Sequence, residues 1–175
     1  YEGGFFFAPD TPDLIHRPKT AQDQSVPSGN AVAAQVLLRL HSYDEHGGYL
    51  RRVEKLLRVF RADMEQDPWA TAGVVGALDN YLAGALQVAI IRTPMSAEST
   101  VHEMLSAVRA AYHPFATICV VDEEAAHKLS ISEGKSAYCG QATAYVCQGF
   151  TCSAPIIEAN DLRSRARYAW HPAIS

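Results

Sequence analysis

The chain has 175 residues, 48% of them apolar, and a formal net charge of −4 from 15 basic and 19 acidic side chains. This length matches about one ordinary domain, and the apolar fraction suffices for a hydrophobic core, which excludes a globally disordered chain. The near balance of charges gives no reason to expect nucleic acid or an anionic membrane as a partner. No run of 18 apolar residues occurs, so no membrane span is expected.

The first 27 residues are predicted to be an irregular loop, because four prolines interrupt any helix there. Long loops of this kind in compact folds are often functional. The chain begins without a methionine and without the basic and apolar leader of a secreted protein, so we expect a piece of a larger protein. Four cysteines in 175 residues do not make a disulfide-dense chain, and the cytoplasm is the expected compartment.

Three helices are predicted to follow the loop. Ser28 is a suitable N-cap for a helix whose residues 31–40 are almost all apolar, which indicates a buried helix. Residues 49–66 carry one apolar stripe and one charged side, which is typical of a surface helix. Asp67 and Pro68 suit the N-cap and the first helical position of a third, mostly apolar helix. The order buried, amphipathic, buried favours two concentric helix layers, as in an α/α barrel, with a plain bundle as the alternative.

The second half alternates short apolar runs with one helix. Residues 86–91 and 115–121 are apolar and rich in branched side chains, which predicts two buried strands. Between them, Ser96 is a candidate N-cap for a helix that extends to about residue 112. This succession predicts parallel strands joined by a right-handed crossover. Further predicted elements are a short helix at 122–129, a third strand at 143–148 and a polar helix at 158–167.

The sequence therefore predicts an α+β fold in two parts. Residues 1–84 would hold the loop and about three helices from the end of an α/α barrel. Residues 85–175 would form a small βαβ-type α/β unit with about three strands. An incomplete barrel exposes apolar helix faces, so we expect the chain to self-associate.

Two short motifs bear on cofactors and metals. The segment Gly134-Lys135-Ser136 imitates the end of a phosphate-binding loop, but position 129 is leucine where that pattern needs glycine. Nucleotide binding is therefore rejected, and no cofactor is expected. Cys147 and Cys152 are separated by four residues, whereas zinc sites prefer tighter pairs and four ligands. Two partly buried thiols are the favoured interpretation, followed by a reversible disulfide and last by a metal site.

The leading loop concentrates charge, with Arg17 and Lys19 close to Asp10, Asp13 and Asp23. Side chains of this kind bind sugar hydroxyls, phosphates or carboxylates, and carboxylates in a concave site act as acid and base. The simpler interpretation is that they anchor the loop through salt bridges and turn contacts.

Two stretches together resemble a known family. The first is Gly3-Gly4-Phe5-Phe6, then Arg17-Pro18-Lys19, Asp23 and Pro27-Ser28-Gly29-Asn30, and the second is residues 142–152, ATAYVCQGFTC. They are similar to the C-terminal part of the thioredoxin-domain-containing family that includes spermatogenesis-associated proteins. The resemblance implies an (α/α)6 barrel like those of sugar 2-epimerases and six-hairpin glycosidases, preceded by a thioredoxin-like domain upstream of this chain.

The resemblance also implies site residues. Asp23 would be the catalytic acid or base, and the residues that bind or orient a sugar-like substrate would be Arg17, Lys19, Ser28 and Asn30. Cys147 and Cys152 match the terminal motif and are candidates for a redox role.

Three functions follow as hypotheses. The longer protein is an isomerase or glycosidase of carbohydrates, in which case this chain alone lacks turnover because most of the site lies elsewhere. Alternatively, the chain is a redox-linked or protein-interaction platform without catalysis of its own. The third is structural, with the α/β unit capping the barrel or making a dimer contact. The expected partners are the upstream part of the same protein, a sugar-like molecule and a second copy.

Overall fold

The structure is a computed structural model that describes residues 3–149 and 151–168. These residues form two compact units, one of residues 3–41 with 45–82 and the other of residues 42–44 with 83–168. Among the helices in this part of the chain, none combines the length and the apolar character needed to cross a bilayer. Each unit has hydrophobic core clusters of its own.

The first unit contains the leading loop and four helices. These are α1 (Gly29–Tyr43), whose last residues belong to the second unit, α2 (Tyr49–Val59), α3 (Arg61–Gln66) and α4 (Ala72–Ala83). The core cluster of this unit includes Ala34, Leu37, Val53, Leu56, Phe60, Val74 and Ala77. Helix α4 approaches α1 so closely at Gly73 that an added Cβ would lie 2.8 Å from the Cβ of Ala31. A glycine is therefore required there unless the helices move apart.

The helix ends in this unit differ partly from the predictions. Ser28 is confirmed as a cap, because its hydroxyl accepts a hydrogen bond from the Ala31 N–H at 3.1 Å. Residues 49–66 do not form one helix, because Phe60 leaves the helical region and separates α2 from α3. The apolar stripe continues through this break, so periodicity alone could not locate it. The Asp67 carboxylate accepts the Ala70 N–H and caps a turn, and α4 begins only at Ala72.

The prediction that the helices end an α/α barrel is wrong. The fold is mixed α/β, with a four-stranded mixed sheet, and the described residues give no sign of a barrel. The layering inference assumed that α1 is buried on all sides. In the structure α1 buries one side, while Val32 and Val36 are 49% and 51% exposed. An apolar composition measures the hydrophobicity of a helix but does not specify how many of its sides are covered.

The second unit contains a sheet with the strand order β2-β1-β3-β4. The strands are β1 (Leu86–Arg92), β2 (Thr117–Asp122), β3 (Thr143–Gln148) and the short edge strand β4 (Thr151–Cys152). Helix α5 (Glu98–Arg109) connects β1 to β2, which pair in parallel as predicted. Strand β3 pairs antiparallel with both β1 and β4. The sheet is therefore mixed and has one strand more than the sequence indicated.

The two faces of this sheet are covered by different elements. Side chains that alternate along β1 point to opposite faces, so Val88 and Ile90 enter one cluster and Ala89 and Ile91 the other. The first face packs against α5 and α6 (Ala159–Tyr168), with Leu162 fully buried. The second face is covered by the 3₁₀ helix Glu123–Lys128, where a short helix was expected, and by the segment after it.

The start of α5 also differs from its prediction. The Ser96 hydroxyl accepts the N–H of Thr93 at 2.9 Å, so it closes the turn before the helix. The N-cap position is occupied by Ala97, whose side chain makes no capping bond. A serine between a strand and a helix can accept either a turn N–H before it or a helix N–H after it, and the sequence does not distinguish the two.

Candidate functional site

The predicted loop residues lie together in the first unit, and Asn30 is the most constrained of them. Its side chain is 4% exposed at the start of α1. The side-chain oxygen accepts the Phe5 N–H at 2.6 Å, and the side-chain nitrogen donates to the carbonyls of Phe5 and Thr20 at 3.0 and 2.9 Å. Asn30 therefore holds two distant parts of the loop against α1, and both polar atoms of its side chain make the hydrogen bonds that do so.

Asp23 is also held by backbone groups. One carboxylate oxygen accepts the Ser28 N–H at 2.7 Å and the other accepts the Gly73 N–H at 2.6 Å. The backbone N–H of Asp23 donates to the carbonyl of Ala70 at 2.7 Å. A carboxylate at the first turn of α4 is also favoured by the helix dipole. Each oxygen of the predicted catalytic residue thus supports the junction between the loop, α1 and α4.

Arg17 and Lys19 share one aromatic ring. The guanidinium carbon of Arg17 and the ammonium of Lys19 lie 4.1 and 4.3 Å from the ring centre of Phe6. Arg17 also donates to the carbonyl of Ala8 and pairs with Asp10 at 3.2 Å, and Lys19 donates to the carbonyl of Gly3 at 2.6 Å. These contacts anchor the loop, as the simpler interpretation expected.

A polar pocket of about 290 Å³ opens beside this loop. Lys19 is the only predicted site residue among its lining residues, which include Asp63, Asp67 and Gln66. Asp23 is not among them, so the structure brings the predicted residues into one segment without directing them into one cavity. Catalysis by Asp23 and substrate binding by the other four stay predictions, and the geometry favours a structural role for Asp23 and Asn30.

The second candidate site is the hairpin of β3 and β4 in the other unit. Cys147 and Cys152 are directly opposite each other and form a disulfide, with their Cα atoms 4.0 Å apart. The next pair, Val146 and Ser153, is hydrogen-bonded through the Ser153 N–H and the Val146 carbonyl at 2.8 Å. The cysteines therefore occupy a non-hydrogen-bonded pair, the position where facing side chains are closest. The structure therefore has a disulfide, whereas the interpretation favoured from sequence was two separate thiols.

The two sulfur-bearing residues of this hairpin differ in exposure. Cys147 is 4% exposed and lies between β1 and β4, whereas Cys152 is exposed on the edge strand. Gly149 begins the connection with φ of +57°, a conformation that favours glycine in tight hairpins.

The remaining cysteines are free thiols in different surroundings. Cys119 is buried in the sheet, and this burial raises the pKa of its thiol. Cys139 is exposed in a 3₁₀ turn. In the described part of the chain, no group of three or more His, Cys, Asp or Glu residues is arranged to hold a metal ion.

Comparison with known proteins identifies relatives for nearly the whole chain. The human protein spermatogenesis-associated protein 20 is 29% identical over 170 residues, which cover 93% of this chain and 21% of the relative. The mouse and rat proteins of the same name are 29% identical over 169 residues.

This chain is similar to spermatogenesis-associated protein 20. The similarity supports the family resemblance seen in the sequence, but not its barrel or thioredoxin details. The chain spans about a fifth of the length of these relatives. No protein-family profile matches the chain, and no solved structure does either.

Sequence reasoning missed two features of the sites. Ser153 contributes a hydroxyl that accepts the Val146 N–H at 3.1 Å and so replaces part of the strand ladder. The only signal for it was a serine next to a cysteine. The second is the link between Asp23 and Gly73, which are 50 residues apart and share no motif.

Proposed function

We propose that this chain is a redox-linked module of a longer protein, and that its disulfide between Cys147 and Cys152 exchanges with a dithiol of a partner protein. The observation that supports this proposal best is the pairing of one buried and one exposed cysteine across a hairpin. Access is a main determinant of thiol–disulfide exchange, and an edge strand gives an incoming thiolate access to one sulfur. A disulfide with both sulfurs buried would be inaccessible to a partner thiolate and would serve a structural role.

The overall reaction transfers two electrons. The partner dithiol loses two protons and two electrons and becomes a disulfide, while the Cys147–Cys152 bond is cleaved and both sulfurs become thiols. The reverse reaction re-forms the bond and reduces the partner. No metal or organic cofactor is required by this stoichiometry.

A thiol count tests the proposal. The unfolded protein is titrated with an aromatic disulfide reagent before and after treatment with a reductant, which is removed first. We expect two free thiols before reduction and four after it, because Cys119 and Cys139 are free. The protein is then equilibrated with mixtures of reduced and oxidised glutathione, and the oxidised fraction should change within the cytosolic range of potentials. Four thiols without reductant, or a bond resistant to the whole range, would refute the proposal.

Carbohydrate processing by the longer protein is our second proposal, and the polar pocket is the observation that favours it. Its lining includes two acidic residues, Asp63 and Asp67, and carboxylates are groups that bind sugar hydroxyls. The proposal no longer relies on Asp23, whose oxygens accept backbone N–H groups. Addition of a monosaccharide series to the ¹⁵N-labelled chain should shift the amide signals of Thr20 and Thr71. Unchanged spectra at millimolar sugar would contradict it.

Partners other than a thiol protein also stay proposals. Helix α1 exposes Val32, Val36 and Leu40 on one side, at a spacing of four residues. We propose that a second copy or the upstream part of the protein covers this stripe. Sedimentation velocity of the chain alone separates the two, because only self-association makes the sedimentation coefficient rise with concentration.

A further inference from the structure

The disulfide hairpin is asymmetric in a way that assigns different roles to its two sulfurs. Cys147 lies in β3, which is bonded on one side to β1 and on the other to β4. Its strand neighbour on β1 is Gln87, and its side chain is almost completely buried. Cys152 ends β4, the edge of the sheet, and is exposed. A thiolate approaching from solvent can therefore reach the sulfur of Cys152 more readily than that of Cys147.

We propose that Cys152 is the sulfur an incoming thiolate attacks, and that Cys147 is the buried sulfur that leaves and later resolves the mixed disulfide. This assignment rests on the redox function proposed above. It adds which of the two sulfurs is attacked, which the presence of a disulfide does not determine.

The step balances as an ordinary exchange. The partner thiolate forms a bond to the sulfur of Cys152, the Cys147–Cys152 bond breaks, and its electron pair stays on Cys147 as a thiolate. A second thiolate of the partner then attacks its own sulfur in the mixed disulfide and releases Cys152 as a thiolate. In the opposite direction the Cys147 thiolate attacks Cys152, re-forms the hairpin disulfide and releases the partner.

The hairpin remains aligned when the disulfide opens, because other bonds hold the chain beyond β4. The Ser153 N–H donates to the Val146 carbonyl, and the Ser153 hydroxyl accepts the Val146 N–H. Further on, Ile156 and Ala144 exchange two backbone hydrogen bonds of 2.8 and 2.9 Å. These contacts keep the Cys147 thiolate close to Cys152 after attack. A high effective concentration should follow, so the mixed disulfide with a monothiol should be short-lived in the unmodified protein.

Site mapping on the unmodified, oxidised protein tests the assignment directly. The protein is mixed briefly with glutathione, quenched in acid and alkylated, and the peptide with both cysteines is fragmented in a mass spectrometer. We expect glutathione on Cys152 and the alkyl group on Cys147. Glutathione on Cys147 in the majority of molecules would overturn the assignment but leave the redox function intact. Hairpin cysteines that carry neither glutathione nor an alkyl group even after equilibration with excess reduced glutathione would refute the redox function itself.

Two variants that each keep one cysteine of the hairpin, beside the buried Cys119, give an independent measure of access. In a Cys139→Ser background, which removes the exposed free thiol, Cys147→Ser leaves Cys152 and Cys152→Ser leaves Cys147. The reduced Cys147→Ser protein should react with an aromatic disulfide at least about tenfold faster, because a buried thiol reacts only through local opening. It should also hold glutathione as a stable adduct. Equal rates in two variants with native circular dichroism would overturn the assignment.

Discussion

Replacement of Asp23 distinguishes a structural from a catalytic carboxylate. Asp23→Ala removes both acceptors of the Ser28 and Gly73 N–H groups and leaves those donors unsatisfied in a partly buried junction. Hydrogen bonds to charged groups contribute about 1.5–3 kcal/mol each, so the loss of two predicts a destabilisation of about 3–6 kcal/mol. This is a large part of the stability of a typical domain, which is about 5–15 kcal/mol.

The assay is urea unfolding monitored by circular dichroism at 222 nm. With a slope of about 2 kcal/mol per molar urea, the loss predicts a fall in the transition midpoint of about 2 M. Asp23→Asn keeps one acceptor oxygen and should show about half the effect. Asp13→Ala is the matched control, because Asp13 is an exposed acidic residue of the same loop and should change the midpoint little.

Amide hydrogen exchange locates the effect within the molecule. The amides of Ser28 and Gly73 should exchange faster in Asp23→Ala, because their acceptors are gone. Amides of β1 in the other unit should keep their protection. If the midpoint of Asp23→Ala matches that of Asp13→Ala and both amides stay protected, the structural role is refuted, and the predicted catalytic role regains support.

Further predictions concern single contacts. Asn30→Ala should lower stability by about 2–4 kcal/mol, because it leaves three backbone groups without their partner in a buried site. Asn30→Asp should restore little of this loss, because its carboxylate lacks the two N–H donors. Urea unfolding measures both variants. Ser153→Ala should raise the fraction reduced at a given glutathione ratio, because β4 is held less firmly; an unchanged ratio would exclude a positioning role. At pH 7 iodoacetamide should label exposed Cys139 rapidly and Cys119 hardly at all, as read by intact mass.

The raised pKa of Cys119 makes the stability of the fold depend on pH. The folded state binds the thiol proton more tightly than the unfolded state does, so stability should fall as the pH rises above the ordinary thiol pKa. The matched comparison is Cys119→Ala, which removes the titrating thiol. Urea midpoints measured from pH 7 to pH 10 should decline less in that variant than in the original protein.

Local sequence patterns determined the elements that depend on neighbours along the chain. The apolar runs around residues 86–91 and 115–121, with a helical stripe between them, were sufficient to predict parallel pairing of β1 and β2. The cap at Ser28 follows from the same kind of information, because its hydroxyl reaches an N–H only three residues away. Hydrophobic period and capping chemistry act over one or two turns of chain, and the sequence displays them directly.

Tertiary structure alone decided which distant groups meet. The same apolar composition of α1 is compatible with burial on all sides or on one, and only the packing left Val32 and Val36 exposed. Asp23 is 50 residues from Gly73, and only the tertiary structure brings its oxygens to the N–H groups of Ser28 and Gly73. The sequence left open whether Cys147 and Cys152 are thiols or a disulfide, and the register of β3 and β4 places them opposite each other. Such contacts depend on loop closure and on the packing of whole elements, which no short stretch of sequence specifies.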